Sequence, residues 1–588
     1  MTTEVHHTDV LVIGGGAAGM YAAAEAQRAG ARATLVDKSL VGRGGATVMA
    51  QMTVAAALGH AEPDDWVEHY HDTVTSGRGL TDELLAALLC HDAPKRILES
   101  WERGVNWERD GDGLAQVHAP GHGRARCCYV GSLQTGHGVV RGLRKELRRQ
   151  QVTTIDTTMV SELVLDGDRV VGAAALDVER GVPLALWADA VILACGGLTE
   201  AFARNSASYN MTGDAYGLAL RAGAELIDME MVQFFPIANL APRTVGLDPI
   251  MWDPFRYRLG GRLLNGDGEE FLEAYTGVAD EGTYTASRDM VTYAILEEVA
   301  AGRGSPSGGA YLDFTDLPLE TMREAFPTAI DRLLEQGIDI SQRPVEVAPT
   351  AHYTIGGIGV DVDLHTGVPG LFAAGEAVGG QHGANRLSGN AISEAFVYGA
   401  RAGRTAAAYA LGGGDARGAA ASQAMERATR DVAEVRGRHH DSSVFLPALR
   451  AELQQAMWTH VGPLRDEDGL EQAGAQLETV RRAWSEDARV DARHRFNLEW
   501  AEWFALRNLL DAAEAVRHAA AGRRESRGAH QRRDHPAADE RFRAHSVTTR
   551  AAQGTVDLAW RRPRELDTPA RAWTPPEPRT TSTTGGGR

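Results

Sequence analysis

The sequence predicts an α/β chain: a Rossmann-like dinucleotide-binding domain, an α+β capping domain inserted into it, and a C-terminal helical domain. Three observations predict this. The chain starts with a strand, a glycine-rich turn, a helix and a second strand in that order. The same strand-and-glycine pattern returns after Gly356, separated from its first part by residues 241–345 of different character. A tryptophan-bearing stretch with helical periodicity then follows, Leu446–Ala520.

Asp9–Ile13 is an apolar, β-branched run suited to a buried parallel strand. It feeds into Gly14-Gly15-Gly16-Ala17-Ala18-Gly19, where Gly14, Gly16 and Gly19 have the G-x-G-x-x-G spacing. That spacing lets a pyrophosphate approach the backbone at the start of a small-residue helix, here running to about Ala29. A second strand, Ala33–Asp37, ends on an acid placed for a ribose hydroxyl, with Lys38 beside it. Ser161–Ala188 is β-rich and turns at Asp166-Gly167-Asp168, which suggests a meander. Ala188–Gly197 is another buried strand closing on glycines, Gly196 among them. Within the insertion, helices are expected near Ser287–Gly302 and Leu319–Gly337. The boundaries that follow are 1–240 and 346–412 for the dinucleotide domain, 241–345 for the cap and 413–443 for a partly helical connection. The helical domain takes 444–560, with Trp458, Trp484, Trp500 and Trp503 on its helices, and 561–588 form a Pro-, Thr- and Gly-rich tail expected to be disordered.

Composition narrows the function classes. The 588 residues carry a formal charge of −19, which argues against a general nucleic-acid binder. Cys90, Cys127, Cys128 and Cys195 show no metal spacing, so no metal site is expected and a reduced, cytoplasmic compartment is. No apolar stretch is long enough to span a bilayer.

The richest stretch is Gly375–Gly399. Its His382, Asn385, Arg386 and Asn390 are too polar to bury without partners. A loop whose N–H groups and cations face an anionic ligand is expected, followed by a helix beginning near Ala391. With the N-terminal motif it points to a flavin site beside an anionic substrate. Glu376, after a small-residue strand, suits ribityl hydroxyls, and Asn390 with the N–H groups of Ala391 and Ile392 suits the N1/O2 edge of a reduced flavin.

Several ordered segments resemble the flavoprotein subunit of the succinate dehydrogenase/fumarate reductase superfamily, which includes L-aspartate oxidase. They are Gly14–Gly19 with Asp37 and Gly44-Gly45-Ala46-Thr47; Cys128–Leu143; Thr212-Gly213-Asp214; His352–Gly357; Gly375-Glu376; Gly383–Arg386; and Arg524–His530. The resemblance covers nearly everything to about residue 545. It implies an FAD-binding domain and an FAD-dependent oxidoreductase that moves hydride between flavin N5 and a carboxylate-bearing substrate. It assigns Arg386 and His352 to the substrate carboxylate, and Arg288, in the "RD" pair Arg288-Asp289, to proton transfer. The alternatives are a stand-alone oxidase of the aspartate oxidase kind, reoxidised by oxygen, and a non-catalytic flavin-binding subunit. A docking surface for an iron–sulfur subunit is expected over Arg523–Arg543. His137 and His530 are expected to be structural or at an interface.

Departures matter equally. Phe235 stands where the family has a substrate-binding histidine, which replaces a hydrogen-bond donor by an apolar wall. The family's Thr-Glu pair and nearby arginine are replaced by Asp253, Pro254 and Tyr257, with Arg256 and Arg258 close by, so the proton relay to Arg288 is expected to be altered. The pocket is therefore expected to be remodelled, for a substrate other than plain succinate or fumarate. The loop Val41–Gln51 lacks the histidine that carries flavin covalently in respiratory members, so FAD is expected to be non-covalent.

Overall fold

A computed structural model describes residues 3–131, 133–276, 288–413, 418–551 and 555–577. Five parallel strands form the central sheet, in the order Leu371–Ala373, Ala190–Leu193, Val10–Ile13, Ala33–Val36, Thr153–Ile155. Of the three central strands, Val10–Ile13 and Ala33–Val36 are joined by a single helix while Ala190–Leu193 comes from far along the chain, and Val10 pairs with both Ala33 and Ala190. All four residues of Val10–Ile13 are buried, which is why that strand reads as an unbroken apolar run. The helix Ala17–Arg28 packs along Asn390–Leu411, and alanine and glycine on the facing sides allow this close approach. A Cβ on Gly399 would stand 2.5 Å from the Ala18 carbonyl, and one on Gly403 2.3 Å from that of Ala22.

The expected meander is present. Thr158–Asp166, Arg169–Asp177 and Val182–Trp187 are antiparallel neighbours, and Glu4–His7 joins the edge in parallel. Helix Ala419–Glu434 covers this sheet, so the connecting segment has its own packing role.

The inserted region is organised on an antiparallel sheet of Val232–Ala241, Val345–Thr354, Ala310–Asp313 and Arg262–Leu264. Its apolar side chains, from Phe235 to Val347, form a core separate from the main one. The first two strands cross from the dinucleotide domain into the cap, so residues along them reach both. The helix expected near 287–302 is Arg288–Ala300, with Ser287 outside the described residues. The one expected over 319–337 is two helices, Leu319–Ala325 and Pro327–Glu335. Pro327 has no N–H to continue the first helix and pushes Phe326 out of the helical region, to φ −138°.

Three long helices, Leu446–His460, Glu467–Glu486 and Leu498–Gly522, make the C-terminal region, with Trp500 and Trp503 buried. This region is not purely helical. His545–Arg550 and Val556–Arg561 form a hairpin that pairs with Leu226–Ile227 of the first domain. The expectation of a disordered tail also fails over 561–577. Arg564 bonds Asp82 at 2.6 Å, and Trp573 is buried, 6.1 Å from the rings of Trp66 and His91. The rest of the tail, 578–588, lies outside the described residues. No helix among the described residues is long and apolar enough to cross a membrane, and they hold no cluster of three or more potential metal ligands.

Candidate active site

A cavity of about 210 Å³ runs from the glycine turn at the C-terminal end of the central sheet to the mouth of the cap. One end is lined by Gly14, Gly16 and Ala17, by Asp37 and Lys38, and by Gly44, Gly45, Ala46 and Thr47. Gly196, Asp214, Glu376, Ala391 and Ile392 line it as well. Strand ends and helix starts of a doubly wound sheet converge here, which is where such folds place ligands. Thr47 accepts from the Ala17 N–H at 3.0 Å, and an Asp37 oxygen accepts from the Gly15 N–H at 2.5 Å. Lys38 pairs with Asp214 at 2.6 Å, and Asn508 donates to the other Asp214 oxygen at 2.8 Å. Glu376 accepts from the Thr354 N–H at 3.0 Å. Burial, with no ion-pair partner among the described residues, pushes its carboxyl up to about 8.

Phe235, Arg288, His352 and Arg386 stand together on the lining, and Asp248 and Ile250 line the same cavity. Arg386 donates to Gln233 Oε1 at 2.9 Å, and its guanidinium carbon lies 4.3 Å from the Tyr353 ring centre. Desolvation, with Arg288 nearby, brings its pKa down to about 10. Arg288 opens its helix, bonds Asp253 at 2.9 Å and sits 5.2 Å from the Phe235 ring centre. His352 Nδ1 is 3.0 Å from Ser206 Oγ; burial, with Arg386 and Arg288 adding to it, holds its pKa well below the ordinary histidine value. The imidazole is therefore neutral at pH 7.

Among the described residues, three buried polar atoms on this lining have no hydrogen-bond partner: Gln51 Oε1, Arg288 Nε and Arg386 Nε. Unmet donors and acceptors in a cavity that also has a phosphate-type glycine turn fit a polar, anionic cofactor and substrate.

Comparisons with known proteins agree with this arrangement. Residues 9–392 match the model of an FAD binding domain, and residues 450–581 that of the fumarate reductase flavoprotein C-terminal region. The chain is 36% identical over 538 residues to a subunit of fumarate reductase (CoM/CoB) from Methanothermobacter marburgensis, covering 91% of this chain and 96% of that one. The chain belongs to the fumarate reductase/succinate dehydrogenase flavoprotein family. Among solved structures it is similar to Mycobacterium smegmatis Sdh1 (TM-score 0.87, 34% identity, 96% of each chain covered). It is also similar to FrdA of Escherichia coli quinol fumarate reductase (TM-score 0.89, 28% identity, 97% and 98% covered). It is an FAD-dependent oxidoreductase of the fumarate reductase/succinate dehydrogenase type; the oxidase and non-catalytic alternatives are not favoured.

Within this family framework, several expected site residues sit elsewhere. Asn390 is buried away from the cavity, bonding His69 at 2.8 Å and Thr73 at 3.1 Å. Gly19 and Gly375 do not line it. A Cβ at Gly19 would meet the Gly14 carbonyl at 1.8 Å, and one at Gly375 would meet Ala18 Cβ at 2.6 Å, so both serve helix–strand packing. The polar run of the richest stretch is largely core after all, because each member has a partner. His382 bonds Glu394 at 2.8 Å, and Asn385 accepts from Gln233 at 3.2 Å. Only Arg386, Ser388, Gly389, Ala391, Ile392 and Ala395 of that stretch beyond Glu376 face the cavity.

The expected docking surface at Arg523–Arg543 is divided. Arg523 is fully buried, bonding Glu230, Glu525 and Asp228, while Arg527 bonds Glu525 and Arg532 bonds Asp534 and Glu467. Their charges are spent inside the molecule; Arg524, Arg541 and Arg543 remain exposed. His530 is internal, 2.6 Å from Arg465. Sequence reasoning missed Gln233, Tyr353 and Ser206, which hold Arg386 and His352. The strand register slips beside His352, where Gln233 pairs with Tyr353 and Phe234 with Ala351, and both His352 and Tyr353 line the cavity. Asp253 stands on Arg288 despite the altered relay motif, and the Tyr257 side chain lies outside the described residues.

Proposed function

We propose that this chain interconverts a saturated carboxylate and its α,β-unsaturated counterpart, with Arg386 holding the carboxylate and Arg288 exchanging the proton. The observation that carries this reading is the convergence of Arg288, His352 and Arg386 on one cavity with the glycine turn. FAD supplies hydride transfer at its N5. The residues that would hold it are Gly14, Gly16, Ala17, Asp37, Lys38, Gly44–Thr47, Gly196, Asp214, Glu376, Ala391 and Ile392. The loop Val41–Gln51 brings no histidine to the cavity, which supports a non-covalent flavin.

Arg386, turned into place by Gln233 and Tyr353, offers its unspent Nε to a carboxylate oxygen. Neutral His352, fixed through Ser206, adds one hydrogen bond to the same group. Arg288 is oriented by Asp253 and by the Phe235 ring, so its free Nε–H is aimed for transfer to or from the substrate carbon. The cap strands and Phe235 exclude water from that carbon. The matched relative is named as one subunit of its enzyme, and this chain has no cluster-binding cysteines, which supports electron exchange with a separate iron–sulfur subunit.

The test is anaerobic. Photoreduced holoprotein mixed with α,β-unsaturated acids should regain its oxidised flavin spectrum, and saturated acids should bleach the oxidised form. Arg288→Ala with full flavin content should lower turnover roughly 10²–10⁴-fold, the usual worth of a positioned acid or base. Undiminished turnover in that variant would remove Arg288 from the reaction.

A further inference from the structure

The cavity lining contains a carboxylate that the reaction described above does not use. Asp248 belongs to the cap segment between strand Val232–Ala241 and helix Trp252–Leu259, and its residue is 8% exposed. It lines the cavity with Phe235, Ile250, Arg288 and Arg386. One oxygen accepts from the Ile250 N–H at 2.9 Å, its one hydrogen-bond partner among the described residues. No arginine or lysine lies within ion-pair distance of it among those residues. Burial without a cation pushes this carboxyl up to about 6, so a large fraction is still ionised at pH 7.

The cations of the cavity can be matched one by one. Lys38 is paired with Asp214 and Arg288 with Asp253. Arg386 meets a neutral amide and a phenol ring, with no carboxylate at ion-pair distance among the described residues. One arginine charge is thus left to receive a carboxylate. A substrate with a second carboxylate would meet Phe235, which donates nothing, and Asp248, which repels it.

We propose that Asp248 sets the substrate class: a monocarboxylate whose far end carries a hydrogen-bond donor, such as a hydroxyl, amide or ammonium group, in preference to a dicarboxylate. This rests on the carboxylate site proposed above, and deepens it. A buried acceptor built to meet a donor discriminates strongly, because an analogue without the donor leaves the acceptor unpaired.

Flavin-loaded, photoreduced protein is mixed anaerobically with three four-carbon 2-enoates ending in a hydroxyl, a methyl or a carboxylate: 4-hydroxybut-2-enoate, but-2-enoate and but-2-enedioate. The expected result is reoxidation with a kcat/KM at least about tenfold higher for the hydroxyl-ended acid than for either other acid. Asp248→Asn and Asp248→Ala, each checked for unchanged flavin content, should shrink that preference about tenfold and raise use of the dicarboxylate. A native preference for the dicarboxylate, or a ranking that both variants leave untouched, overturns the proposal. Arg386→Ala separates the two readings. If it abolishes use of every acid while Asp248 variants change nothing, the carboxylate site stands and the Asp248 assignment falls. If no acid reoxidises the flavin, both fall.

Discussion

At the residue scale, the informative groups are those whose burial changes their protonation. Glu376 has a carboxyl pushed up to about 8 from an ordinary 4.5, so the folded chain holds a proton there that the unfolded chain has released at neutral pH. The sign follows directly. Between pH 4.5 and about 8 the native state binds more protons than the unfolded state, and its stability falls as pH rises, by at most about 1.4 kcal/mol per pH unit. Flavin-free protein should therefore lose Tm between pH 6 and pH 8 more steeply than Glu376→Gln, which cannot ionise. Equal slopes in thermal melts of the two proteins would show that Glu376 is already ionised in the fold. A protonated Glu376 also has an O–H to donate, so the same variant should retain flavin better than Glu376→Ala does.

At the element scale, what the sequence made legible tracks how local the cause is. The strands Val10–Ile13 and Ala33–Val36, the helix after the glycine turn and the meander were readable because burial on both faces, glycine spacing and a two-residue turn leave marks within a few positions. Arg288, His352 and Arg386 were nameable from motif fragments, and they do line one cavity. The misses came from partners far away in the chain. Asn390 looked ligand-facing because nothing near it shows that His69 and Thr73, more than 300 residues earlier, take its amide. The tail looked disordered by composition, but Trp573 has a slot beside Trp66 and His91. A Trp573→Ala variant should then lose roughly 3–5 kcal/mol of stability, as buried aromatic truncations do. Chemical denaturation measures this directly, and an unchanged midpoint would mean that the tail contributes no packing.

At the scale of the whole molecule, one arginine ties three parts of the chain together. Arg523 follows the last long helix and is fully buried. Its guanidinium reaches Asp228 and Glu230, just before the first cap strand, Glu525 in its own loop, and the carbonyls of Phe542 and Ala544 ahead of the C-terminal hairpin. Asp228 also bonds His545, and Glu230 accepts from Ser546, so the acids are shared between the hairpin and the helical region. Removing only the cation would leave three carboxylates crowded at this junction, and breaking a buried pair in this way costs roughly 3–5 kcal/mol. Because strand Val232–Ala241 begins two residues after Glu230 and carries Gln233 and Phe235, the damage should reach the substrate end of the cavity. Arg523→Gln should therefore lower the denaturation midpoint and also weaken carboxylate binding. Arg524→Gln, whose side chain is 59% exposed, should do neither. Flavin content, melts and KM for the best acid, measured on both variants, decide it: a stable Arg523→Gln protein with native KM would mean that the junction is not what sets the strand's position.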